Sequence, residues 1–196
     1  TPEYTFPSTA CQVQHLLGAN RAAAFDVSAA CAGFIYAMTT ANQFIQNGAA
    51  KHVLVVGAET LSKITDWTDR TTCVLFGDGA GAVVLSASDK PGILATDLGA
   101  DGSQGSILYR KNLAPDAKIF MSGRELFKRA VESLVQSSKT LLKQANLTAA
   151  AIDWVVPHQA NLRIIRMVIG RMAVDSANTI ITVDKHANTS AASIPL

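Results

Sequence analysis

Two kinds of apolar pattern run along this chain of 196 residues. Where apolar residues recur every third or fourth position with polar ones between, the spacing matches one face of a helix; where they run together, rich in β-branched side chains, it matches a short buried strand. The first pattern covers residues 10–17, opened by Ser8 as a cap and stopped by Gly18. It recurs in the apolar stretch 34–45, which stops at Asn47-Gly48. It recurs again over 123–146, through Leu126, Phe127, Ala130, Leu134, Leu141, Leu142 and Ala145, and over 162–172. The second pattern predicts strands at 22–27, at 52–57 (HVLVVG, read as buried on both faces of a parallel sheet), in the run ending at Leu85, and at 93–98, 151–157 and 179–183. Strands alternating with helices imply an α/β fold, with a β-α-β unit over 22–57.

Turn-forming residues divide this pattern. Residues 1–7 read as a connection rather than a beginning, because Pro2 and Pro7 interrupt them and no initiating methionine is present. The turn Asp89-Lys90-Pro91-Gly92 is the best boundary, giving halves of 1–90 and 91–196. The polar stretch 59–72, with Asp66, Trp67, Asp69 and Arg70, is expected as irregular surface, and 99–115 as a loop. The glycines of FGDGAGAVVL (76–85) precede a strand instead of joining a strand to a helix, so they do not make a dinucleotide or phosphate cradle. Their expected use is close backbone approach or a tight turn beneath a site.

Composition narrows the function classes. With 48% apolar and 16% charged residues the chain can bury a sizeable core, which excludes disorder. A net charge of +2 without any lysine/arginine block argues against nucleic acid. Three cysteines, an odd number without CxxC or metal-ligand spacing, predict reduced thiols, no metal site and a cytoplasmic location. No apolar run approaches the ~18 residues of a membrane span, and residues 1–8 lack the charged and apolar regions of a signal peptide.

Cys31, within Ala29-Ala30-Cys31-Ala32-Gly33, lies where strand 22–27 turns into the next helix. Free N–H groups and the helix dipole there favour thiolate, the small neighbours admit a carbonyl, and the Cys31 N–H can steady an oxyanion. His158 follows the 151–157 strand and Asn188 the 179–183 strand, whose turn is expected to enter a helix capped by Thr189 or Ser190. Three polar groups thus follow predicted strands, where α/β sheets build their sites. Cysteine, histidine and asparagine in that order fit a papain-like hydrolase or a thioester-using condensing enzyme, and the hydrolase reading lacks the C-G-[SA]-C-[WY] context. Cys11, Cys73, His15, His52 and His186 receive structural or surface readings. On 162–172, Arg163, Arg166 and Arg171 fall in one broad arc opposite Leu162, Ile165, Val168, Ile169 and Met172.

Four segments, DVSAACAGF (26–34), FGDGAGAVVL (76–85), VPHQANLRI (156–164) and HANTSAASIP (186–195), resemble the signatures of the β-ketoacyl-acyl-carrier-protein synthase III family. These are the initiating condensing enzymes of bacterial fatty-acid synthesis, in the thiolase superfamily. Asn188, where chain-elongating relatives carry a second histidine, points to the initiating or chalcone-synthase-like branch.

The resemblance implies a thiolase-like α/β fold of two related halves, with mixed sheets and packed helices in αβαβα layers, incomplete at both termini. It also implies a homodimer. By the same resemblance Cys31 takes an acyl group from acyl-CoA. His158 and Asn188 then hydrogen-bond the thioester oxygen of malonyl-acyl-carrier protein as CO₂ leaves, with no metal or redox cofactor. His158 is also placed to assist thiolate formation. Arg70 and Arg163 match positions near the CoA nucleotide, Asn161 and Gly123 positions along the pantetheine channel, and Phe127 its wall. Phe6 matches an aromatic reaching the partner's acyl pocket. Lys128, Gln159, Arg163, Arg166 and Arg171 form the implied docking patch for an acidic carrier protein. Each also has an ordinary reading: surface cation, helix-capping amide or core phenylalanine. Ala187 stands where glycine is common in the family. Alternatives are a related enzyme using malonyl-CoA or a specialised primer, and a catalytically silent interaction domain.

Overall fold

The structure, a computed structural model, describes residues 1–111 and 116–196. Helix α1 (Thr9–Leu16) is followed by a 3₁₀ turn at Ala30–Ala32, helix α2 (Gly33–Gln46), strand β1 (His52–Thr60), a turn at Leu61–Lys63 and strand β2 (Asp78–Ser86). A turn at Gly102–Gln104, the short strands β3 (Leu108–Tyr109) and β4 (Phe120–Met121), and helices α3 (Gly123–Gln144) and α4 (Leu162–Met172) come next. The single turn α5 (Val183–His186) leads to a last 3₁₀ turn at Ser190–Ala192. Among the described residues no helix is long and apolar enough to cross a membrane.

β1 and β2 pair antiparallel in continuous register from His52↔Ser86 to Thr60↔Asp78, and β3 pairs antiparallel with β4. This corrects the expected β-α-β unit. Residues 22–27 and 93–98 form no strand, and the runs 151–157 and 179–183 meet only in one parallel bridge, Val155↔Thr179. A strand exists only where a neighbour takes up its N–H and C=O groups, and no described residue lines up beside 22–27 or 93–98. The described residues therefore contain part of the expected layered α/β architecture. Within the expected loop 99–115, the turn Gly102–Gln104 and β3 are ordered structure, and 112–115 lie outside the described residues.

The β1–β2 pair has one packed face. Phe34 and Ala41 of α2 bury against Val55, with Val53, Val83, Leu85 and Ile194 around them. Leu54, Val56 and Val84 alternate outward and are 44%, 41% and 64% exposed, so HVLVVG is not buried on both faces. A second core joins α3 to α4 through Val131, Val135, Ile164 and Val168, with Phe127 packed against it. The packed row on α3 is 127, 131 and 135, each four residues on, and Leu134, expected inward, is 44% exposed. Ile165 and Ile169 of α4 form a third cluster with Val174. The start of α4 follows from its sequence, since the Asn161 side chain accepts from the Ile164 N–H at 2.9 Å.

The site is placed by how closely the last segment lies on the β1–β2 pair. A Cβ on Gly57 would sit 2.2 Å from the Ala191 carbonyl oxygen, and one on Gly81 would sit 2.5 Å from the Pro195 carbonyl carbon. Only glycine permits that approach. A parallel bridge, Phe76↔Asn188, completes the join: the Asn188 N–H donates to the Leu75 carbonyl (2.8 Å) and the Gly77 N–H to the Asn188 carbonyl (3.0 Å).

Candidate active site

Cys31 lies at the centre of the 3₁₀ turn Ala30–Ala32, directly before α2, and is half-buried. Asp26 fixes the preceding segment by accepting from the Thr9 and Ala10 N–H groups at the start of α1 (3.0 and 2.8 Å). Ala30 takes φ 45°, and Ser190 lies close enough to the thiol for its hydroxyl to favour the thiolate. Burial pushes the Cys31 thiol above its ordinary range; the Ser190 hydrogen bond pulls the other way, and the nearby Glu59 carboxylate adds to the rise. Burial thus works against the bias toward thiolate expected from the helix terminus.

Asn188 is buried, and its Oδ1 accepts from the Ser190 N–H at 2.9 Å. Since that partner is a donor, the amide oxygen is the bonded atom and Nδ2 is left to donate elsewhere. The Nδ1 of His158 lies 2.6 Å from the Ser193 hydroxyl, which also accepts from the Gln159 N–H at 3.1 Å. Burial lowers the His158 imidazole from 6.5 to about 4, so it is neutral at pH 7. Residues 188–193 therefore sit beside all three candidates: Ser190 lies near Cys31, Ser193 bonds His158, and Asn188 opens the turn. Two cavities, one of about 290 Å³ beside Ile165, Ile169 and Val174 and one at residues 18–22, are not lined by any of the three.

Comparison with known proteins gives this geometry a relationship. The family described as 3-oxoacyl-[acyl-carrier-protein (ACP)] synthase III matches residues 25–102, and its C-terminal model matches 142–196. The chain belongs to the 3-oxoacyl-[acyl-carrier-protein] synthase III family. It is 52% identical to the beta-ketoacyl-[acyl-carrier-protein] synthase III of Bordetella petrii, over 100% of this chain and 62% of that protein. The solved 3-oxoacyl-[acyl-carrier-protein] synthase III from Aquifex aeolicus VF5 superposes with a TM-score of 0.96 at 49% identity, covering 100% of this chain and 63% of that one. The priming beta-ketosynthase from the R1128 polyketide biosynthetic pathway superposes at 0.94 with 36% identity, covering 100% and 61%. The chain thus spans under two thirds of each relative's length and shares the family's thiolase-like fold over that span.

The other residues suggested by the synthase III resemblance scatter more widely. The Arg163 guanidinium stacks 5.5 Å above the ring of Phe127, joining α4 to α3, while Phe127 also packs on the α3–α4 core. Asn161 caps α4, its ordinary reading, and Gly123 is the exposed first residue of α3. Arg70 is exposed in the turns after Asp69, and Phe6 is 83% exposed. Lys128, Arg163, Arg166 and Arg171 are all exposed.

Gln159 is corrected. At 1% exposure it cannot meet a docking partner. Its Nε2 donates to the Pro157 and Ile180 carbonyls and its Oε1 accepts from the Thr182 and Val183 N–H groups. Cys73 is half-buried, not sealed, while the Cys11 thiol donates to the Ala24 carbonyl at 3.4 Å and His15, His52 and His186 are exposed. Ser193 and Glu59 are not singled out by the sequence, and Ser190 only as a helix cap. The signal available was Ser-Ala-Ala-Ser, because in a 3₁₀ turn side chains three apart eclipse and share a face.

Proposed function

We propose that this chain carries the reacting groups of a decarboxylative Claisen condensation, in which an acyl group from acyl-CoA is joined to malonyl-acyl-carrier protein to give 3-oxoacyl-carrier protein. The observation carrying this reading is the segment 188–193, which includes the Asn188 amide, hydrogen-bonds the His158 imidazole through Ser193 and sets Ser190 near the Cys31 thiol.

Cys31 Sγ attacks the acyl-CoA carbonyl, CoA leaves with the thiol's proton, and acyl-Cys31 remains. The Cys31 N–H and its turn steady the transient oxyanion. The malonyl thioester then enters with its oxygen facing His158 and Asn188. As the bond to the carboxyl carbon breaks and CO₂ departs, negative charge gathers on that oxygen, where two neutral donors stabilise it. The enolate carbon attacks the acyl-Cys31 carbonyl, and Sγ is expelled. An imidazole lowered to about 4 is too weak a base to hold the thiol proton at neutral pH, so His158 serves as a donor and not as the thiol's base.

The exposed Lys128, Arg163, Arg166 and Arg171 supply positive charge for an acidic carrier protein, and exposed Phe6 suits contact with a second copy of the chain. The likeness to a polyketide-priming ketosynthase supports a second reading with a specialised primer or malonyl-CoA as acceptor. Parallel rates with malonyl-carrier protein and malonyl-CoA separate the two. CO₂ release from malonyl-carrier protein tests the donors: His158→Ala and Asn188→Ala should each lower it by about 10²-fold or more, while Cys31→Ala retains it and loses condensation. Equal CO₂ release from all four proteins would refute the reading.

A further inference from the structure

We propose that Ser193 is a positioning residue: its hydroxyl, held by the Gln159 amide, donates to Nδ1 of His158 and so keeps the imidazole proton on Nε2, the nitrogen left to meet a substrate oxygen. The inference follows from counting protons around one buried atom. Ser193 is 6% exposed, its Oγ accepts from the Gln159 N–H at 3.1 Å, and it lies 2.6 Å from Nδ1. A hydroxyl carries one proton, and among the described residues Nδ1 is the only acceptor bonded to this one. With the proton on Nδ1 instead, two N–H groups would converge on Oγ and the buried O–H would have no acceptor, an arrangement folded proteins avoid. Donation from Ser193 to Nδ1 satisfies every group, and the ring's second nitrogen then carries the hydrogen.

The surroundings hold the arrangement in place. The Gln159 side chain is clamped by four hydrogen bonds to residues 157, 180, 182 and 183, so its N–H cannot swing away from Ser193. The Ser193 N–H closes the 3₁₀ turn on the Ser190 carbonyl (3.2 Å). Nε2 of His158 bonds to no described residue. The lowered imidazole pKa agrees, since a neutral ring has one proton whose location matters. Resting on the proposed donor role of His158, the consequence for catalysis is directional: an Nε2–H attracts the enolate oxygen, whereas an Nε2 lone pair repels it.

The test is nitrogen NMR of the chain labelled with ¹⁵N-histidine at pH 7, with His158 assigned by the signal lost in His158→Gln. The wild type should show Nε2 protonated and Nδ1 as a hydrogen-bonded acceptor. Ser193→Ala should shift population toward the Nδ1–H form and lower CO₂ release from malonyl-carrier protein about a hundredfold in kcat with KM little changed. Ser193→Thr, which keeps the hydroxyl, should restore both. An Nδ1–H tautomer in the wild type, or an unchanged Nε2–H tautomer in folded Ser193→Ala, overturns the proposal. Because the spectrum needs no substrate, the predicted tautomers in a protein that releases no CO₂ would sink the condensing reading and leave the role of Ser193 standing.

Discussion

Gly57→Ala tests whether the site depends on how closely the last segment lies on β1. The added methyl would stand 2.2 Å from the Ala191 oxygen, 2.8 Å from its carbonyl carbon and 3.1 Å from the Ala192 Cα. All three are backbone atoms, so no side-chain rotation relieves the clash. Ordinary contact begins near 3.4 Å, and residues 190–193 must therefore retreat by about 1 Å. Overpacking of this kind costs about 1–3 kcal/mol, or a fall in Tm of about 2–12 °C for a chain of this size. The same retreat moves Ser190 from Cys31 and Ser193 from His158, and a displacement of about 1 Å can cost about 10²-fold in rate. Thermal unfolding and CO₂ release from malonyl-carrier protein read the two effects. Gly102→Ala is the control, because nothing lies within 4 Å of a Cβ there. Matching behaviour of the two variants would refute the reasoning.

Ala187, at φ 60° and ψ −163°, occupies backbone space that suits glycine. Strain of about 1–3 kcal/mol, less the greater chain entropy of glycine, gives Ala187→Gly a net gain of about 1 kcal/mol and a Tm about 2–4 °C higher. Gln159→Leu strands two N–H groups and two carbonyls in the interior, so denaturant unfolding should show a loss of about 3 kcal/mol or more; a surface docking residue would leave stability alone. For His158 the folded pKa lies below the unfolded one. The unfolded chain therefore binds more protons between pH 6.5 and about 4, and stability falls as pH drops through that window. The loss amounts to about 3 kcal/mol, and His158→Gln should remove it from a pH series of unfolding curves.

What was legible in the sequence depended on how local its cause was. The start of α4 follows from Asn161 and its face from the spacing of its apolar residues, and α3 follows from a long helical period, because each is decided within the segment. The strands were less readable. An apolar run such as 22–27 or 93–98 reports burial, but a ladder needs a partner from elsewhere, and β1 finds its partner antiparallel in β2. Cys31, His158 and Asn188 stood out through their motifs, while the groups that hold them did not. Ser190 and Ser193 matter because one tight turn puts both on the same side. Gln159, which the resemblance puts in a docking patch, is in fact a sealed clamp. The direction of the Cys31 shift was also hidden, since it depends on how much water the fold removes.

The account turns on Cys31 sharing one substrate path with His158 and Asn188. Incubation with radiolabelled acetyl-CoA, followed by addition of unlabelled malonyl-carrier protein and peptide mapping, measures that directly. Label should accumulate on the Cys31 peptide, be absent in Cys31→Ala, and pass to the carrier protein only when His158 and Asn188 are intact. Label on another residue, or transfer that survives loss of both donors, would contradict it.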